Sequence, residues 1–159
     1  FEKFGIPKER TEEAVQVFRS RYIPIGKFEN KPYPGIPEML EALKKRGYHL
    51  YLATSKPEET AVEIMDHFDL SKYFDLLCGA AMEGGRNSKE DVIAYLLQKA
   101  GRDGEKTMVG DTKYDVLGAS AHGIPTIGVS WGYGDVAEMR SAGAKAIIST
   151  PQELLDLLP

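Results

Sequence analysis

The chain has 159 residues, of which 42% are hydrophobic and 28% are charged, and its formal net charge at pH 7 is −4. This length and hydrophobic fraction suit one domain with a sizeable core and room for a small appendage. The negative charge gives no general attraction to nucleic acid, and no apolar run could span a membrane or serve as a signal peptide, so we expect a cytoplasmic protein that binds neither nucleic acid nor membrane.

The N-terminal part of the chain is predicted to be helical. The sequence begins with Phe1 instead of methionine, so we expect the natural protein to start earlier. Residues 11–28 carry an irregular apolar face, and Thr11 followed by two glutamates suits a helix start. The prolines and the glycine within residues 30–35 then predict a linker.

From residue 36 onward, predicted helices and strands alternate. Helices are predicted at residues 36–46, 57–67, 89–100, 114–121 and 151–158. Strands are predicted at residues 48–53, 76–79, 107–110, 125–129 and 146–148. This alternation indicates an α/β fold with a mainly parallel sheet, helices on both faces, and ligands bound beyond the carboxyl ends of the strands. Cys78, the only cysteine, excludes an internal disulfide and is expected to be a buried apolar residue.

Two aspartates follow the strand that ends at Gly110. Asp111 and Asp115 are four residues apart, and like charges this close raise each other's cost of ionisation. Carboxylate oxygens at a rigid strand end can hold a hard cation, and Mg²⁺ requires oxygen ligands. The pair therefore predicts a metal site, although a turn in a solvated loop could also explain it.

Polar residues follow two earlier elements at the same predicted sheet edge. Thr54, Ser55 and Lys56 come after a strand and before a helix start, where a hydroxyl and free N–H groups can bind an anion. The alternative is a simple helix cap. Arg86 and Lys89 flank the start of the next helix and could bind phosphate, although solvated surface positions would explain both.

The order of these sites resembles the haloacid dehalogenase-like hydrolase superfamily. A hydroxyl follows one strand, a lysine begins a later helix, and GDxxxD follows a further strand. Other segments are similar to its phosphoglycolate phosphatase branch, namely residues 32–35, 52–57, 109–111 with Asp115, 123–125, 129–134 and 147–154. The resemblance covers nearly the whole chain.

The resemblance implies a three-layer Rossmann-like core domain at residues 32–159, preceded by the C-terminal part of a helical cap at residues 1–31. It also implies a catalytic site. Thr54 would bind phosphate, and Lys89 would hold both the phosphate and the nucleophile. Ser55, Lys56 and Arg86 are the further phosphate-binding candidates, from their positions in the sequence. Asp111 and Asp115 would bind Mg²⁺. The substrate would be a small phosphorylated metabolite similar to phosphoglycolate, and the protein would be a monomer or weak homodimer.

One motif of the superfamily is missing. Its nucleophile is the first aspartate of DxDGT at the end of the first, central strand, and no such motif is present. We therefore expect the sheet to be interrupted between the Thr54 strand and the Asp111 strand, and this chain alone to be inactive. In the complete protein the implied reaction proceeds through an aspartyl phosphate.

Other functions remain open within this interpretation. A 5'-nucleotidase, a pyrophosphatase or a sugar-phosphate mutase of the superfamily would share the same core. A non-catalytic module that binds phosphorylated metabolites is the alternative from a different class.

Overall fold

The computed structural model describes residues 5–82, 84–101 and 103–158. Contacts divide the chain into two compact units on either side of the bond between Pro32 and Tyr33. The predicted boundary between cap and core lies one residue earlier, and residues 1–4 of the predicted cap segment lie outside the described residues. Among the described residues, no helix combines the length and the apolar character needed to cross a membrane.

The first unit contains helix α1 (Thr11–Tyr22) and a short 3-10 helix at Gly26–Phe28. The predicted helix over residues 11–28 is therefore too long. It ends early because Pro24 has no backbone N–H to donate to the preceding turn. An ion pair between Arg21 Nη1 and Glu29 Oε2 at 2.7 Å joins α1 to the segment that follows it.

The second unit is built from strands and helices in alternation, which confirms the predicted α/β fold. In chain order its elements are α2 (Ile36–Lys45), β1 (Tyr51–Pro57), α3 (Glu58–His67), β2 (Leu76–Ala80), α4 (Lys89–Ala100), β3 (Met108–Gly110), α5 (Lys113–Ser120), β4 (Thr126–Val129), α6 (Val136–Ser141), β5 (Ala146–Ile148) and α7 (Pro151–Leu157).

The strands form two separate parallel sheets. Strand β1 pairs with β2, and β3, β4 and β5 pair in that order. Within the described residues no ladder joins β1 to β3. The predicted interruption between the Thr54 strand and the Asp111 strand is therefore present, and it lies where the carboxyl ends carry the candidate site.

Two apolar clusters form the core of this unit. Three residues of α2 (Met39, Leu40 and Leu43) pack with residues of β4, β5 and α7, while Cys78 packs with Val92 and Leu96 of α4. Cys78 is 1% exposed, as expected for a buried apolar residue. The core thus fixes α2 against β4 and β5, and α4 against β2 and β1.

Candidate active site

A groove of about 740 Å³ brings together residues from three separate segments of the chain. Thr54, Ser55 and Lys56 line it from the end of β1, and Lys89 lines it from the start of α4. Asp111 and Asp115 line it from the end of β3 and the first turn of α5. Six of the seven residues predicted for the site therefore share one cavity.

Lys89 and Asp115 form a buried ion pair on one wall of the groove. Lys89 Nζ lies 2.9 Å from Asp115 Oδ1, and the two side chains are 13% and 6% exposed. Lys89 Nζ also donates to the Ala53 carbonyl oxygen at 2.8 Å. The ammonium group is therefore held at the carboxyl end of β1, close to Thr54.

The second oxygen of Asp115 is also fully engaged. Asp115 Oδ2 accepts hydrogen bonds from Asp111 N (3.2 Å), Thr112 N (3.0 Å) and Thr112 Oγ1 (2.9 Å). With Thr112 it forms a capping box at the start of α5. Its contacts thus stabilise the turn after β3 and orient Lys89.

Two glycines provide the space for this ion pair. A Cβ on Gly110 would lie 2.6 Å from Asp115 Cγ, and a Cβ on Gly118 would lie 2.8 Å from Lys89 Cγ. Neither glycine has a positive φ, so backbone conformation does not require glycine there. The close approach of the Asp115 and Lys89 side chains does. Neither role could be predicted from the sequence, because each depends on a side chain from another turn or helix.

Thr54 lies in an irregular part of β1. The register between β1 and β2 shifts between Ala53 and Pro57, so Thr54, Ser55 and Lys56 form a bulge. Lys56 N–H donates to Thr54 Oγ1 at 3.2 Å, and none of the described residues accepts the hydroxyl hydrogen of Thr54. Pro57 occupies the cap position of α3, so Thr54 does not cap that helix.

Asp111 holds its carboxylate at the boundary of two cavities. Asp111 Oδ2 accepts a hydrogen bond from Tyr133 N at 2.8 Å, and none of the described residues donates to Oδ1. Asp111 lines both the groove and a second cavity of about 300 Å³ beside Trp131 and Tyr133. No group of three or more His, Cys, Asp or Glu side chains suited to a metal occurs among the described residues.

Arg86 is the one predicted site residue that the structure does not bring to the groove. Its Nη2 lies 2.9 Å from Glu58 Oε2, and its Nε donates to the Gly79 carbonyl oxygen at 2.7 Å. The guanidinium carbon lies 3.7 Å from the centre of the Tyr95 ring. These contacts tie the loop before α4 to β2 and α3. The phosphate contact predicted for Arg86 stays a prediction.

Comparisons with known proteins identify the family of this chain. Residues 1–129 match the haloacid dehalogenase-like hydrolase family. A 5'-nucleotidase of Pseudomonas aeruginosa is 42% identical over 139 residues, which are 87% of this chain and 63% of that protein. A phosphoglycolate phosphatase of Aquifex aeolicus is 35% identical over 148 residues, which are 92% of this chain and 68% of that protein.

A solved structure has the same fold. The crystal structure of a predicted phosphatase from Clostridium acetobutylicum superposes with a TM-score of 0.88 at 37% identity, covering 98% of this chain and 73% of that chain. The present chain spans less than two thirds of the length of the Pseudomonas aeruginosa 5'-nucleotidase. From its family match, its relatives and its fold, the chain belongs to the haloacid dehalogenase-like hydrolase family, in the phosphoglycolate phosphatase-like branch.

Proposed function

We propose that the full-length protein is a Mg²⁺-dependent phosphatase that acts on a small phosphorylated metabolite. The observation that supports this most strongly is the convergence of Thr54, Lys89 and Asp111 on one groove at the strand ends. A hydroxyl donor, a fixed cation and a carboxylate are the groups that phosphoryl transfer needs for positioning and charge stabilisation.

Thr54 and Lys89 are the proposed phosphate ligands. The Thr54 hydroxyl accepts a hydrogen bond from Lys56 N–H, and its own hydrogen can donate to a phosphate oxygen. The ammonium of Lys89 lines the same groove, and Asp115 and the Ala53 carbonyl hold that ammonium in place. Ser55 and Lys56 are exposed at the groove and could bind the rest of the substrate.

Asp111 is the proposed metal ligand. Its Oδ1 atom accepts no hydrogen bond from the described residues, and Mg²⁺ sites often use one or two carboxylates together with substrate phosphate and water. When bound, Mg²⁺ would neutralise charge on the phosphoryl oxygens. The contacts of Asp115 favour a different task, which is to orient Lys89 and the Asp111 backbone.

The nucleophile would come from a strand between β1 and β3. Within residues 5–82, 84–101 and 103–158, neither strand has a partner there, and a parallel strand in that position would end beside Thr54, Lys89 and Asp111. An aspartate at its end would attack phosphorus and form an acyl phosphate as the bond to the leaving oxygen breaks and that oxygen takes a proton. Water would then hydrolyse the acyl phosphate and regenerate the carboxylate.

A 5'-nucleotidase is the second candidate, because the relative of that name is 42% identical to this chain. The two candidates share the phosphoryl chemistry and differ in the leaving group. The cap, of which residues 1–31 are predicted to form part, would decide between them by selecting the alcohol that leaves.

The test is an assay of inorganic phosphate release by the full-length protein, with and without Mg²⁺. The substrates are phosphoglycolate, 5'-nucleoside monophosphates and p-nitrophenyl phosphate. We expect Mg²⁺-dependent turnover, with the preferred substrate distinguishing the two candidates. A folded full-length protein that binds these compounds without hydrolysing any of them would contradict the proposal and support a binding module.

A further inference from the structure

The loop of residues 130–135 is fixed at both ends and in its middle. Ser130 N donates to the Ile148 carbonyl oxygen at 3.0 Å, which continues the pairing of β4 with β5. Asp135 caps α6 by accepting from Ala137 N at 2.6 Å. Between these anchors, Trp131 packs against the larger apolar cluster, while Tyr133 is 96% exposed.

This anchored loop lies directly against Asp111. A Cβ on Gly132 would lie 2.6 Å from Asp111 Cγ and would also collide with Asp111 Cβ and Oδ2. A Cβ on Gly134 would collide with the Asp111 carbonyl oxygen. Neither glycine has a positive φ, so the absence of a side chain is required by the proximity of Asp111.

The contact is also a directed hydrogen bond. Tyr133 N donates to Asp111 Oδ2 at 2.8 Å, while the exposed Tyr133 ring makes no contribution to this bond. A backbone donor on an anchored loop fixes the carboxylate more firmly than a mobile side chain would. One oxygen is thereby held, and the other is left for a ligand.

We propose that residues 131–134 are a positioning loop for the Asp111 carboxylate, and that Gly132 is glycine so that the loop can approach it. The inference rests on the proposed function, in which Asp111 binds the divalent cation. Partners that orient a metal ligand change affinity by roughly 10- to 100-fold when they are removed. The loop would therefore set the Mg²⁺ affinity of the site without touching the cation.

The experiment measures Mg²⁺ binding to the full-length protein by isothermal titration calorimetry in the absence of substrate. The variants are Gly132→Ala, Asp111→Asn and the control Gly128→Ala. Gly128 lies in β4, where a Cβ would meet the end of the Ile147 side chain at 2.5 Å and would not meet Asp111. Gly128→Ala therefore crowds the core beside β4, the strand that precedes the loop, and leaves the Asp111 carboxylate undisturbed.

We expect Gly132→Ala to raise the dissociation constant for Mg²⁺ by about 10- to 100-fold, with Gly128→Ala unchanged. Asp111→Asn should abolish the binding, and adding Gly132→Ala to it should have no further effect. If Gly132→Ala is folded and binds Mg²⁺ normally while Asp111→Asn does not, the loop inference is overturned and the metal assignment stands. If Asp111→Asn binds Mg²⁺ normally, the metal assignment fails and the loop inference fails with it.

A second measurement does not depend on the folding of Gly132→Ala. Amide hydrogen exchange of Tyr133 should be slow in the wild-type protein, although its side chain is exposed, because its N–H donates to Asp111. Asp111→Ala should accelerate that exchange. A Tyr133 amide that exchanges freely in the wild-type protein would overturn the inference.

Discussion

Lys89 and Asp115 depend on each other because both are buried at the wall of the groove. Their side chains are 13% and 6% exposed, so removal of one charge leaves the other in a poorly solvated position. Asp115 keeps its hydrogen bonds from Thr112 and Asp111 N, which limits the penalty. The ion pair therefore contributes to stability as well as to the placement of the Lys89 ammonium.

We predict that Lys89→Met lowers the free energy of unfolding by about 3 kcal/mol and abolishes phosphatase activity. Urea unfolding of the full-length protein measures the change in stability. The double variant with Asp115→Asn serves as the control, because neutralising the orphaned carboxylate should recover part of the lost stability. Fully additive losses for the two substitutions would contradict a coupled pair.

Thr54, Lys89 and Asp111 could be selected from the sequence because each is a polar residue at a predicted strand end or helix start. Gly118 and Gly132 could not be selected in this way. Each is required by a side chain that approaches from elsewhere in the fold, and no local pattern reports such an approach. The position of Arg86 could not be predicted for the same reason. Its partner Glu58 lies on α3, and this ion pair holds the guanidinium outside the groove.

At the scale of elements, the contact between α4 and α5 sets the position of Lys89. Gly118 lies in the middle of α5, where alanine would ordinarily favour the helix by about 1 kcal/mol. A Cβ there would meet Lys89 Cγ at 2.8 Å and Glu90 N at 3.1 Å, and the latter is backbone that cannot rotate away.

We therefore predict that Gly118→Ala destabilises the protein by about 1–3 kcal/mol in spite of its better helix propensity, as overpacking does. It should also lower kcat, because Lys89 is displaced. Thermal unfolding and steady-state kinetics measure the two effects. A variant that is more stable than the wild type and fully active would show that α4 and α5 can separate freely.

The beginning of the β1–β2 pair is held by Asp75. Its carboxylate accepts from Leu50 N at 3.0 Å and from Lys44 Nζ at 3.2 Å. Burial raises the pKa of Asp75, but the hydrogen bonds from Lys44, Leu50 and His49 outweigh that effect and keep the pKa below its ordinary value. A lowered pKa means that the ionised form stabilises the fold.

The contribution of Asp75 should accordingly be complete at neutral pH and should decline as the pH falls below about 4, through the lowered pKa. We predict that Asp75→Asn costs about 1 kcal/mol at pH 7 and less at pH 3. Urea unfolding of both proteins at the two pH values gives the comparison. An equal cost at both values would exclude the charged form as the source of stability.

The helices and strands were predicted with different accuracy. Helix α4 begins at the predicted residue because Ser88 and Asp91 form a capping box, which is a local signal. Strand β1 begins three residues later than predicted, since Asp75 binds the backbone at Leu50 and pairing with β2 starts after it. Helix α6 was missed because its six residues bury only Met139, which is too little for a periodic pattern.

For the molecule as a whole, the interrupted sheet is the main structural feature. The interruption could be predicted only from the family resemblance, because nothing in the periodicity of residues 36–158 indicates a missing neighbour. Unpaired N–H and C=O groups at buried strand edges are costly and invite another strand. No strand in the part of the chain that the structure describes pairs with β1 or β3 on these edges, so we expect a further strand between them.

In the full-length protein we predict that the amides of β3 that do not pair with β4 exchange as slowly as those of β4 itself, which is paired on both sides. Hydrogen exchange followed by mass spectrometry would show this protection. Amides of residues 1–159 produced alone provide the comparison and should exchange faster at the same positions. Equal, rapid exchange in both proteins would mean that no strand occupies the interruption.

The most direct test of the account is the Mg²⁺-dependent release of phosphate by the full-length protein and its Asp111→Asn variant. The substitution preserves the size of the side chain and keeps an oxygen for Tyr133 N–H, so circular dichroism and thermal unfolding should be nearly unchanged. We predict that Mg²⁺-dependent turnover is lost. Full activity in a folded Asp111→Asn variant would contradict the assignment of this groove as the active site.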